Sequence, residues 1–298
     1  MWRRPSRLVV ATTLGGLGNQ LFQFAVARGA TTHPSSPVIL DDRHAYAWPL
    51  QLHTVLRAGT WRRATAIELL RLRQLPRLPM LHRTLLAAQE ASRLPLLSRW
   101  VVREEAAAIP AQGKALLRGY FQDDRWFEAA QSIVFAAFLD AEPETAERTR
   151  RARQSPGPLV GIAVRAAEDY EKFAVMLPRS YYLDAAAEFA GAQPSFLIAG
   201  DHATRCEDLA SRLRSIGPTT CVYELSPKAQ LDALAACDHM ISSNSSFSWW
   251  AAWLGDRRNA SGQDRVVTRP EPWLLSGHTR CPSAWHLRRA RLGDVWDG

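Results

Sequence analysis

Between Leu159 and Thr268 the chain alternates short apolar runs with helical stretches, and no other feature limits its fold so strongly. Leu159–Val164, Ser195–Ile198, Cys221–Tyr223, Met240–Ser242 and Val266–Thr268 read as strands. Arg179–Gly191, Ala203–Ile216, Lys228–Cys237 and Phe247–Leu254 read as helices between them. Strands joined through helices run parallel, and a parallel sheet is covered on both faces.

The first half opens the same way. Leu8–Thr12 reads as a buried strand, Leu14–Gln20 as a tight loop, Leu21–Thr31 as a helix and Val38–Leu40 as a second strand ending at Asp41-Asp42. Together they form one β-loop-α-β unit. Residues 50–108 are rich in Leu, Arg and Ala, with prolines at 76, 79 and 95, and read as several short amphipathic helices. Leu116–Phe127 is apolar and aromatic around a single turn; Phe127–Phe138 and Glu142–Arg153 read as helices. Ser155-Pro156-Gly157-Pro158 is the strongest break, so domains of 1–154 and 155–298 are expected. The fold class is then α/β, two halves with ligand sites in a cleft at the carboxyl ends of their strands.

Composition narrows the function. With 47% hydrophobic and 22% charged residues the chain is neither disordered nor fibrous. Its net charge of +8 fits a phosphate-bearing ligand or simply an Arg-rich surface. The basic residues are scattered, with only Arg62-Arg63 and Arg288-Arg289 as small clusters, so nucleic acid is not expected. Cys206, Cys221, Cys237 and Cys281 form no CxxC pair and no tight Cys/His spacing, which predicts no zinc site and a reducing compartment. The apolar runs Leu8–Thr13 and Phe247–Leu254 are too short to span a bilayer. No integral membrane segment and a cytoplasmic location are expected, and the high Ala and Arg content hints at a GC-rich bacterial source.

Three segments are candidate sites. In the loop Leu14-Gly15-Gly16-Leu17-Gly18-Asn19-Gln20, Gly16 and Gly18 let the backbone approach a ligand, and the following helix start attracts anions. The alternative is a tight turn in an ordinary α/β unit, but the amides of Asn19 and Gln20 are more than a bare turn needs. Arg165 ends a strand, where a guanidinium can clamp a diphosphate and stabilise a departing nucleotide; alternatively it forms a surface ion pair with Asp169. Glu168 and Asp169 beside it are carboxylates that could take a proton from an acceptor hydroxyl. Ser242–Trp250 crowds five hydroxyls and one amide onto a helix N-terminus: Asn244, Ser245, Ser246 and Ser248 surround Phe247 where one capping serine would suffice. Such an excess suits a polyphosphate or sugar.

These segments resemble, in order, the α-1,2-fucosyltransferase family. Gly15–Arg28 (GGLGNQLFQFAVAR) is similar to its opening motif, LLRGYFQDDRWF to its GYFQ segment, Leu177–Ala186 to its tyrosine-bearing helix, Phe196–Asp201 to its acidic strand end, Cys237–Gly255 to its most diagnostic stretch and Val266–Trp273 to its closing strand. The resemblance implies a GT-B architecture of two Rossmann-like domains, the first on the acceptor side and the second holding the donor. It implies a metal-independent, inverting transfer of L-fucose from GDP-fucose to a hydroxyl of a glycan or glycosylated small molecule. Arg165 would hold the pyrophosphate, Asn244–Ser246 the donor phosphate or nucleotide, and the Asn19 loop would face them. One stretch departs. The family's His-x-Arg-Arg-Gly-Asp-Tyr reads Ala163-Val164-Arg165-Ala166-Ala167-Glu168-Asp169-Tyr170 here. One arginine of two remains, which also fits a different nucleotide-sugar donor or a non-catalytic relative that binds nucleotide sugar.

Overall fold

The computed structural model describes residues 7–31, 33, 35–44, 48–74, 100–166, 176–258, 265–271, 273, 281–290 and 296. By packing, the chain divides between Leu139 and Asp140 into two units.

The first unit is built on β1 (Leu8–Thr12), whose buried Val9, Val10 and Ala11 are flanked on both sides by parallel neighbours. Helix α1 (Leu17–Ala30) follows, then β2 (Val38–Asp41), β3 (Trp61–Arg63), α2 (Ala66–Arg71), β4 (Val101–Val102), β5 (Lys114–Leu117) and α3 (Gln131–Ala136). The sheet order is β3-β2-β1-β5-β4, all parallel. Helix α1 begins four residues before the expected Leu21, so Gly18, Asn19 and Gln20 lie in its first turn rather than in a loop. The Gln20 N–H reaches the Gly16 carbonyl at 3.1 Å, closing that turn.

In residues 50–108 the described part holds only α2 as an α-helix, capped reciprocally by Thr65 and Glu68, together with β3 and β4. These strands are two or three residues long, too short to display a period of two. Strand β5 reads KALL, a helix-favouring composition, yet Leu8 to Ala11 pair with it from Lys114 to Leu117. Tertiary pairing overrides local propensity there. The helix expected over Phe127–Phe138 is broken: 3-10 turns occupy Asp124–Trp126 and Glu128–Ala130 before α3 begins.

The second unit runs α4 (Pro143–Arg151), β6 (Leu159–Val164), α5 (Arg179–Ala187), β7 (Ser195–Gly200), α6 (Ala203–Leu213), β8 (Thr219–Cys221), α7 (Pro227–Ala235), β9 (His239–Ile241), α8 (Ser246–Arg258), β10 (Val267–Glu271) and β11 (His286–Arg289). Helix α4, which the sequence groups with the first half, packs against α7 and buries Thr145 and Thr149. The Pro-Gly stretch is laced to the same unit, because Ser195 Oγ accepts the Gln154 and Ser155 N–H groups at 2.9 and 3.1 Å. The sheet order is β11-β10-β9-β6-β7-β8, every pair parallel. Every residue of β6 is buried, as a central strand covered on both faces requires. Chain order runs outward from β6 in one direction and from β9 in the other, so the topological switch point lies between these strands. Strand β11 was not legible: His286–Arg289 is polar and mostly exposed, as an edge strand tolerates.

Helix α8 anchors this unit. Trp249, Trp250 and Trp253 are fully buried, with ring centroids 5.0 to 6.3 Å apart, and Trp285 adds a fourth indole 5.7 Å from Trp249. Among the described residues no helix is long and apolar enough to cross a membrane.

Candidate functional site

The switch point brings two of the three candidate segments together. Ile162 of β6 pairs with Ile241 of β9. Three residues beyond each, at the carboxyl ends of the two strands, stand Arg165 and Asn244. The crevice at such a point is where open α/β sheets bind ligands.

Asn244 is buried and Ser246 half-buried. Their neighbours are committed to shaping the turn. Ser245 Oγ accepts the Phe247 N–H at 3.2 Å and its carbonyl accepts the Trp249 N–H at 3.0 Å, so Ser245 caps α8. Ser248 Oγ bonds to the Ser243 and Ser245 carbonyls, each at 2.8 Å. Ser242 Oγ donates to the Ser243 carbonyl at 3.0 Å, while the Ser242 carbonyl accepts the Tyr181 hydroxyl at 2.8 Å. Burial raises the Tyr181 pKa well above its usual value, so it remains a donor. The hydroxyl excess thus divides: Ser242, Ser243, Ser245 and Ser248 hold the loop, and Asn244, Ser246 and the first N–H groups of α8 form its rim.

Arg165 forms an ion pair with Asp201, just past the end of β7. The Asp201 carboxylate also accepts the Ala166 N–H at 2.8 Å. Gly200 precedes it because a Cβ there would come 2.8 Å from both the Val164 carbonyl and Cys206 Sγ. Glu168 and Asp169 lie outside the described residues.

In the first unit, Gly15 has φ +73°, and a Cβ there would come 2.5 Å from Asn19 Nδ2. Gln20 is buried, its Nε2 donating to the Gly15 and Pro49 carbonyls and its Oε1 accepting the Gln51 N–H. Its amide therefore holds the glycine turn in place. Gln122 Nε2 donates to Asn19 Oδ1 at 2.7 Å, joining the GYFQ segment to the glycine motif. Beside them, Leu14, Arg103, Glu104, Glu105, Arg118 and Gly119 line an open pocket of ≈ 320 Å³. Glu104 was not singled out from the sequence; its carboxylate accepts the Tyr120 and Phe121 N–H groups at 3.0 Å each. It supports Phe121 in a left-handed conformation, φ +51°, and only this long-range contact reveals it.

Among the described residues no group of His, Cys, Asp and Glu is placed to hold a metal ion. Burial pushes the thiols of Cys206, Cys221 and Cys237 up to about 12, so they act as packing groups rather than ligands or nucleophiles.

Residues 154–261 match the model of glycosyl transferase family 11. No curated protein sequence matches the chain. Among solved structures it is similar to a mutant FUT1 of Arabidopsis thaliana in complex with GDP, at 13% identity and TM-score 0.53, over 90% of this chain and 72% of that one. It is also similar to the fucosyltransferase NodZ from Bradyrhizobium (14% identity, TM-score 0.44, 83% and 93%) and to the E. coli ADP-heptose LPS heptosyltransferase II (14%, 0.46, 97% and 92%). At 13% identity the likeness to the Arabidopsis FUT1 is one of fold.

Proposed function

We propose, for a chain that is a glycosyltransferase of the GT-B fold class with a family 11 segment over residues 154–261, that it transfers L-fucose from GDP-fucose to a sugar hydroxyl with inversion at the anomeric carbon. The observation that carries this reading is the meeting of Arg165 and the Asn244–Ser246 rim at the β6/β9 switch point, inside the matched segment. A guanidinium and a helix start at the ends of adjacent strands are groups that suit one anion. The Arabidopsis FUT1 of similar fold is a GDP complex, and GDP is the nucleotide the sequence resemblance implies.

In the proposed step the acceptor oxygen attacks the anomeric carbon from the face opposite the diphosphate. The carbon–oxygen bond to GDP breaks and its electron pair leaves with GDP. Arg165 and the α8 N–H groups take up the charge that develops on the diphosphate. A carboxylate, Asp169 or Glu168, takes the acceptor proton. Neutralising the leaving group in this way requires no divalent cation. The acceptor is a glycan or a glycosylated small molecule. Ala166 favours one second reading, a donor other than GDP-fucose, because that position adds no charge.

The test is GDP release from GDP-fucose with a panel of oligosaccharide acceptors and excess chelator. Turnover should survive the chelator, and Arg165→Ala should lower kcat by about 10²- to 10³-fold. Unchanged turnover in Arg165→Ala, or an absolute need for added metal, would overturn the reading.

A further inference from the structure

Two guanidinium groups converge on the peptide that follows β6. Arg165 is ion-paired with Asp201, so its charge is already balanced within the protein; the side chains are 24% and 28% exposed. Arg205, in the first turn of α6, reaches the same place. Its Nη1 donates to the Ala166 carbonyl at 3.4 Å and meets Met176 Sδ at 3.2 Å. Its guanidinium carbon lies 5.7 Å from the centre of the Trp296 ring. Trp296 is itself fixed, with Nε1 donating to the Leu177 carbonyl at 2.8 Å and its ring 6.1 Å from Tyr182.

Every described partner of Arg205 is thus neutral: a carbonyl, a thioether and an indole face. It has no carboxylate partner among the described residues. A guanidinium carries five N–H donors, and these contacts occupy only Nη1. Arg205 is half-buried, so its charge is held by packing near the Arg165–Asp201 pair, with no carboxylate beside it among the described residues. A nucleoside diphosphate is a polyanion. The Arg165–Asp201 pair meets it with no net charge, whereas Arg205 meets it with one.

Resting on the donor site proposed above, we infer that Arg205 is a donor-binding residue, the second cation for the diphosphate, and that Asp201 opposes binding by occupying Arg165. The two side chains therefore act in opposite directions. Asn at 201 keeps an oxygen for the Ala166 N–H while releasing Arg165.

The experiment measures affinity by calorimetry for GDP, UDP, dTDP and guanosine monophosphate across a salt series. The proteins are the wild type, Arg205→Gln, Arg205→Lys and Asp201→Asn, with melting curves for each. Losing one charge-assisted contact should weaken diphosphate binding about 10- to 100-fold in Arg205→Gln. The loss should be smaller on the monophosphate, and the salt dependence shallower. Arg205→Lys should retain most of the affinity, and Asp201→Asn should bind more tightly than wild type. A purely structural Arg205 would give equal losses on mono- and diphosphate and an unchanged salt dependence, which would overturn the inference. Full affinity in Arg205→Gln overturns it alone, leaving the donor site standing. Failure of the wild type to bind any diphosphate overturns both.

Discussion

Asp232 is the most consequential single charge in the second unit. It lies in α7 and is 2% exposed. Lys228, one turn earlier and equally enclosed, forms an ion pair with it, and Arg258 at the end of α8 donates to it at 2.9 Å. The carboxylate therefore joins α7 to α8. Truncation to Ala leaves the Lys228 ammonium buried with the Asp140 carbonyl at 2.9 Å as its described remaining partner. Arg258 is 23% exposed and can turn to water. Breaking a buried pair on one side costs about 3–5 kcal/mol, and for a domain of this size each kcal/mol moves Tm by roughly 2–4 °C. Asp232→Ala should then lower the melting temperature of the second unit by roughly 6–20 °C.

Replacing both buried partners, Lys228→Met with Asp232→Leu, removes the unpaired charge, so the double variant should be more stable than Asp232→Ala alone. Urea unfolding followed by tryptophan fluorescence reports on this unit through the fully buried Trp249, Trp250 and Trp253 of α8. A loss under about 1 kcal/mol in Asp232→Ala, or a double variant no better than the single, would refute this reasoning.

The other predictions concern the same unit. Trp253→Ala removes a ring that contacts Trp249 and Trp250 and lies 3.5 Å beneath Arg257; it should cost about 3–5 kcal/mol in urea unfolding, and Trp253→Phe clearly less. Burial lowers the His239 pKa below its usual 6.5, with Asp238 pulling it the other way, and its Nδ1 accepts the Val266 N–H at 3.0 Å. The native ring is neutral, so the unfolded chain takes up the proton first. The contribution is full above pH 6.5 and is lost as pH falls from there toward the lower native value; urea midpoints between pH 7.5 and 5.5 should show the decline, flattened in His239→Gln. Because burial holds Cys206, Cys221 and Cys237 at about 12, iodoacetamide at pH 8 should modify Cys281 ahead of them, as peptide mass mapping would show.

How much of this was legible in the sequence depended on burial. Leu159–Val164 and Leu8–Thr12 are central strands whose apolar runs fill the whole element, and their bounds could be read directly. The helices over 179–258 were recognisable because each lies between such runs. Trp61–Arg63, Val101–Val102 and His286–Arg289 were missed because edge strands this short owe their conformation to a neighbour. Lys114–Leu117 was missed because its four residues prefer helix. The positions of Arg165 and Asn244 just past strand ends could be read from the sequence, and the structure has them there. The division of labour among the serines was not: the crowded loop did not say that Ser245 caps while Ser242, Ser243 and Ser248 bond inward. Gln20 looked like a ligand-facing amide and spends all its described bonds on backbone. Arg205 carried no local signal, because its meaning comes from Ala166, Met176 and Trp296, all distant in sequence.

The most direct test of the central claim is a metal-free calorimetric comparison of GDP-fucose with UDP- and dTDP-sugars on the wild type and on Arg165→Ala. The account predicts selective binding of GDP-fucose without any cation, lost in Arg165→Ala. Preference for another nucleotide, or full affinity in the variant, would contradict it.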